Sequence, residues 1–138
     1  MAFFGEKDWQ QLAVIRRMVR DLDIPTEIRG VPTVRDEYGL ALSSRNGYLT
    51  QNELEVARKF NVILRKTAYD IGTGALASVE CERAAQAILD AGFQDIDYVE
   101  CRDAEDLTVV EKVQERPARI FAAAYLGKAR LIDNHAVS

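Results

Sequence analysis

Histidine occurs once in the 138 residues, at position 135, and cysteine twice, at Cys81 and Cys101. His135 stands near the C-terminus without a nearby catalytic partner, so a surface or satisfied core role is expected, and nothing resembles a nucleophile–base–orienter triad. The cysteines fall in a predicted helix and a predicted strand, without CxxC spacing or partnering histidines. That excludes a recognisable metal site or redox pair and leaves two reduced, partly buried thiols as the expectation. Long apolar runs are also missing. None approaches the roughly 18 residues that span a bilayer, and MAFFGEKDWQQ has neither the basic start nor the apolar core of a signal peptide. A cytoplasmic protein without membrane partners is expected. Basic residues are in deficit, 18 against 22 acidic for a net charge of −4, and phosphate neutralisation by a nucleic-acid binder needs a concentrated basic surface. The densest basic cluster, RRMVR at 16–20, sits on a predicted helix and reads as its solvated face. Only three prolines occur, with no Gly/Ser/Pro-rich linker, low-complexity tract or internal repeat.

What remains is ordinary globular material, 48% hydrophobic and 29% charged, enough for one real core. Leu12, Ile15, Met18, Val19 and Leu22 recur at spacings of three and four, predicting an amphipathic helix over 8–23 that ends before Pro25. TEIRGV at 26–31 has strand character, and helix, strand and polar loop in succession is the rhythm of an α/β layer. Thr50 with Glu53 makes a capping box that opens a long helix over 51–71, with Leu54, Ala57, Val62, Leu64, Ala68 and Ile71 as its apolar line. GTG at 72–74 breaks it, and a second helix runs over 78–91 to Gly92, so the two should pack antiparallel. DIDYVECRD at 95–103 alternates, with Ile96, Tyr98 and Glu100 set against Asp97, Val99 and Cys101. ARIFAAAYLG at 118–127 and ARLIDNHAV at 129–137 suit a hairpin around Leu126, Gly127 and Lys128. The halves differ: 1–49 reads as the closing part of an α/β unit, and 50–138 as an α+β lobe with a helical pair on a small, mainly antiparallel sheet.

Two stretches suit chemistry. In FFGEKDWQQL at 3–12, an apolar strand end meets Gly5, then three charged residues, then a helix start, and open α/β sheets bind ligands at the carboxyl ends of strands. Backbone amides and the helix dipole favour an anion there, Lys7 adds a charge, Asp8 suits sugar hydroxyls, and Gln11 lies one turn further along. The plain alternative is a helix start with Asp8 as cap, Glu6 and Lys7 solvated and Gln11 facing water. In GLALSSRNGYLT at 39–50, serine hydroxyls and the Arg45 fork suit phosphate oxygens, although SSRNG alone also reads as a turn. Trp9, Phe3 and Phe4 are expected in the core rather than as a stacking platform.

Taken together, FFGEKDWQQLAVIRRMV, GVPTVRDEYGLALSSRNGYLT and AAAYLGKARLIDN resemble the pantothenate synthetase family, also called pantoate–β-alanine ligases, of the HIGH-type nucleotidyltransferase group. The resemblance implies a Rossmann-like remnant over 1–49, followed by an α+β lid domain over 50–138. It implies ATP-dependent condensation of pantoate with β-alanine through pantoyl adenylate, with magnesium, and a homodimer. By position, Gly5, Glu6, Lys7 and Asp8 match the ATP-binding turn and Gln11 the pantoate-binding glutamine. Val34 matches an adenine contact. Leu42, Ser43, Ser44 and Arg45 match the KMSKS-like loop that closes on the triphosphate; Lys7, Ser43, Ser44 and Arg45 are the expected catalytic set. Family members carry a HIGH-like segment before FFGEKD that is absent here, so the chain resembles their C-terminal portion and is expected not to turn over alone. The alternative is a non-catalytic binding or oligomerisation module on the same scaffold.

Overall fold

The computed structural model describes residues 2–36, 40–41, 49–112 and 117–137. The elements run β1 (Ala2–Gly5), a 3₁₀ turn (Glu6–Asp8), α1 (Trp9–Asp21), β2 (Ile28–Val31), α2 (Gln51–Gly72), α3 (Ala77–Ala91), β3 (Asp95–Asp103), β4 (Ala118–Leu126) and β5 (Ala129–Val137). The architecture is α/β, with a mainly antiparallel three-stranded sheet, as expected.

β1 and β2 pair in parallel, Ala2 opposite Ile28 and Gly5 opposite Val31, so their carboxyl ends lie side by side. Parallel pairing needs a crossover, and α1 supplies it. α1 is shorter than its periodicity suggests and buries Leu12 and Ala13. Met18 and Leu22, predicted on its apolar line, are exposed, and Phe3, predicted in the core, is 62% exposed on β1. Parallel sheets normally have both faces covered. Here the strand pair has α1 against it, while Phe3 shows a further apolar surface to solvent.

The second part holds the larger core. Thr50 Oγ1 accepts from the Glu53 amide at 3.1 Å and Glu53 Oε1 accepts from the Thr50 amide at 3.0 Å, closing the predicted capping box. α2 then buries Ala57, Phe60, Leu64, Ala68 and Ile71 along one stripe, leaving Val62, a predicted member of that line, exposed. Gly92, with φ of 125°, ends α3, and Phe93 behind it meets Phe60 with ring centroids 5.3 Å apart. β4 is central, antiparallel to both β3 and β5. Ile120, Ala122, Ala124 and Leu126 of β4 join the helix core; the small alanines allow close approach of the helices.

The expected alternation of β3 changes phase. The ladder shifts register between Ile96 and Tyr98, and an extra residue in a strand reverses which side chains face inward beyond it. Ile96 therefore faces the core together with Val99 and Cys101, rather than with Tyr98 and Glu100. Across the sheet, Leu126 pairs with Ala129, leaving Gly127 and Lys128 as a two-residue turn. Gly127 has φ of 59°, and a Cβ on it would collide with the Glu53 carboxylate, so the turn sits on the cap of α2.

Candidate active site

Gly5 and Val31 end side by side, and each strand leads straight into a segment predicted to meet substrate. After Gly5 the chain turns through Glu6–Asp8 into α1. Asp8 makes no side-chain cap hydrogen bond, so the plain capping role predicted for it is not what holds this turn. Gln11 lies exposed on the first turn of α1. After Val31, residues 32–36 leave the neighbouring strand end and carry Val34, which is 64% exposed. Gly5, Glu6, Lys7, Asp8, Gln11 and Val34 thus belong to two adjacent strand-end segments. Leu42, Ser43, Ser44 and Arg45 lie outside the described residues.

The turn is fastened from the far end of the chain. Asn134 of β5 is 2% exposed, and its Nδ2 donates to the carbonyl oxygens of both Glu6 and Lys7 at 2.9 Å. Its Oδ1 accepts from Arg119 Nε at 2.8 Å. The guanidinium of Arg119 lies 4.0 Å over the Trp9 ring, whose Nε1 donates to the carbonyl of Ala104 at 2.8 Å. Burial lowers the Arg119 pKa, while Glu6 and Asp133 act in the opposite direction.

Asp133, the preceding residue, holds the second segment. Arg35 donates to its two carboxylate oxygens at 2.6 and 2.7 Å, a bidentate pair. Burial pushes the Asp133 carboxyl up, but His135 and Arg35 beside it more than offset this, leaving its pKa below the ordinary value. His135 Nε2 lies 3.6 Å from Asp133 Oδ2. Asp36 continues the attachment, accepting from Arg58 of α2 at 3.2 Å. Leu40 and Ala41 are buried beyond it, leading towards the serine-rich loop.

Asn134, Asp133, Arg35 and Arg119 were not among the residues predicted for the site. The available signal was LIDN itself: two adjacent polar residues that follow Leu131 and Ile132 in a strand must find partners when buried. The cysteines are more buried than expected; burial pushes the Cys81 thiol up to about 12 and that of Cys101 to about 11. Among the described residues, no group of three or more His, Cys, Asp or Glu is placed to hold a metal, and no helix is long and apolar enough to cross a membrane.

A parallel strand pair with a charged turn at its carboxyl end, together with a helical pair on an antiparallel sheet, defines an α/β protein. The sequence matches the profile of the pantoate-beta-alanine ligase family over residues 1–136, and the chain belongs to that family. It is 57% identical over 136 residues to the pantothenate synthetase of Dinoroseobacter shibae, covering 99% of this chain and 48% of that protein. With that of Mesorhizobium japonicum it shares 54% over 133 residues, covering 96% and 46%. A crystal structure of pantothenate synthetase from Thermus thermophilus superposes with a TM-score of 0.88 at 40% identity, over 99% of this chain and 49% of that one. Pantoate-beta-alanine ligase from Francisella tularensis, complexed with beta-gamma ATP and beta-alanine, gives 0.66 at 36% identity, over 97% and 42%. The chain spans about half the length of the relatives it matches.

Proposed function

We propose that this chain provides one half of the ATP and pantoate site of a cytoplasmic pantoate–β-alanine ligase. In the reaction, the pantoate carboxylate attacks the α-phosphorus of ATP, giving pantoyl adenylate and pyrophosphate. The β-alanine amine then attacks the acyl carbon and displaces AMP, forming pantothenate. Such chemistry needs a held polyanion, an oriented carboxylate and charge stabilisation rather than a protein nucleophile. Gly5, Glu6, Lys7 and Asp8 form the nucleotide turn, with Lys7 on the phosphates and Asp8 towards the ribose. Val34 meets adenine, Gln11 meets pantoate, and Leu42, Ser43, Ser44 and Arg45 close over the triphosphate. Magnesium would be carried in with the phosphates of ATP.

The observation that carries this reading is the fastening of the Glu6–Asp8 turn at the shared carboxyl end of β1 and β2 by a buried side chain. Residues 1–49 serve as the nucleotide-binding portion and 50–138 as the lobe that covers it. The chain spans about half of a relative's length, and these 138 residues are not expected to turn over by themselves. Calorimetric titration with Mg-ATP tests the assignment. Lys7→Ala is expected to weaken binding about tenfold, the scale of one charge-assisted contact, whereas Lys66→Ala on exposed α2 leaves it unchanged. Equal affinities would remove Lys7 from the site. AMP production from ATP, pantoate and β-alanine by this chain at a complete enzyme's rate would refute the need for a second half.

A second reading is a docking or oligomerisation module, favoured by the exposed Phe3 on a strand pair of the kind usually covered on both faces. A homodimer is compatible with both readings. Mg-ATP titration of the unaltered chain separates them, since a non-catalytic module binds none, and sedimentation of Phe3→Ser tests the surface: loss of self-association would assign it to assembly.

A further inference from the structure

We propose that Asp133 and Asn134 of β5 form a positioning template that sets the Glu6–Asp8 turn and residues 32–36 relative to one another. The inference rests on reading those segments as the nucleotide site, and adds residues from the other lobe that touch no substrate but determine the shape of the surface that does.

Adjacent residues in a strand point to opposite faces. Asn134 consequently reaches the 3₁₀ turn, whereas Asp133 takes Arg35 from the segment that follows β2. The covalent link between Asp133 and Asn134 makes the two grips a single fixture, and the backbone N–H of Asn134 tightens it by donating to Asp133 Oδ1 at 2.8 Å. Arg35 also spans the pair, reaching the Asn134 carbonyl at 3.4 Å.

The orientation of the Asn134 amide follows from its partners. Arg119 Nε can only donate, so it must face Oδ1; the carbonyls of Glu6 and Lys7 can only accept, so Nδ2 must face them. Both Nδ2 hydrogens are therefore committed to consecutive carbonyls. In a planar trans peptide the N–H points opposite the carbonyl. Drawing the Glu6 and Lys7 carbonyls towards β5 therefore fixes two successive peptide planes, and with them the directions of the Lys7 and Asp8 amides in the 3₁₀ turn.

Asn134→Asp preserves nearly the same volume and the acceptor for Arg119, but replaces two donors with an oxygen that repels both carbonyls. Amide hydrogen exchange resolved by residue is the primary measurement, with Mg-ATP titration alongside. Exchange at Asp8 and Trp9, whose amides close the 3₁₀ turn, is expected to accelerate at least about tenfold, with α2 unchanged, and ATP affinity to fall about tenfold, as two lost hydrogen bonds allow. Ile88→Val, which loosens the helix core without touching the turn, is expected to lower the Tm while leaving ATP affinity in place. Unchanged exchange at the turn in Asn134→Asp overturns the template. If that variant does not fold, Asn134→Ser decides: it loses both Nδ2 donors without setting a repelling carboxylate against the carbonyls, so exchange at the turn rises, and no rise refutes the inference. Failure of the unaltered chain to bind Mg-ATP overturns the nucleotide reading alone, because accelerated exchange in Asn134→Asp still supports the template.

Discussion

Replacing Arg35 by methionine keeps an aliphatic stem of similar reach and removes both hydrogen bonds to Asp133, whose side chain is 2% exposed. Removing one partner of a buried ion pair typically destabilises by about 3–5 kcal/mol, because the other charge is left without compensation. Asp133 has an escape, since it can bind a proton and become neutral. Neutralising a carboxyl of ordinary pKa at pH 7 spans about 3 units at about 1.36 kcal/mol each, which sets a ceiling near 4 kcal/mol. The two figures agree on a loss of about 3–4 kcal/mol at pH 7. At pH 5 the same ceiling falls to about 1.5 kcal/mol, so the deficit of Arg35→Met should shrink on acidification. Urea denaturation at the two pH values measures it, followed by fluorescence of Trp9, the only tryptophan, and by circular dichroism. Trp9 donates to Ala104, so its emission reports whether α1 remains seated on the sheet. A loss below about 1 kcal/mol at pH 7, or one that does not diminish at pH 5, would refute the reasoning that Arg35 compensates a buried carboxylate.

The cysteines give a prediction of opposite sign in pH. Their pKa values are raised by burial, to about 12 for Cys81 and about 11 for Cys101, so the folded state holds these protons after an unfolded thiol at 9.0 has lost them; the stabilising contribution is complete below pH 9 and declines as pH rises towards 11–12. Iodoacetamide at pH 8 should leave both thiols unmodified in the folded chain and alkylate both in urea; rapid alkylation of the native protein would contradict their burial. Gly127→Ala places a Cβ at φ of 59° and against Glu53, and relief by moving that carboxylate opens the α2 capping box. Left-handed strain and a weakened cap together should cost about 2 kcal/mol in chemical denaturation, and an unchanged midpoint would mean that the turn is not seated on α2.

Local patterns carried much of the fold. The Thr50–Glu53 box, the stripe through Ala57, Leu64, Ala68 and Ile71, and the paired runs around Gly127 each involve residues close in sequence, so spacing reveals them. Met18, Leu22 and Val62 show where spacing runs out: periodicity describes which side of a helix is apolar, not whether another element lies against it. β3 exposes a second limit, because the residue inserted near Asp97 is defined by pairing with β4 and has no marker in DIDYVECRD itself. In the site, Gly5–Asp8 could be predicted beside a strand end from its flanks, whereas Val34 is singled out only by the family resemblance. Asn134 could be predicted as a buried polar group in need of partners, but the identity of those partners depends on how two distant segments meet.

The Asn134 hydrogen bond to Glu6 closes a loop of 128 residues in sequence separation. The entropy of closing so long a loop amounts to about 4 kcal/mol, and contacts of this kind make folding slow. During synthesis, the capping box and helical hairpin can organise early from neighbouring residues, while the charged turn must wait for a strand translated long after it. Ribosome-bound chains that stop short of Asn134 therefore present a finished helical pair with that turn still unset.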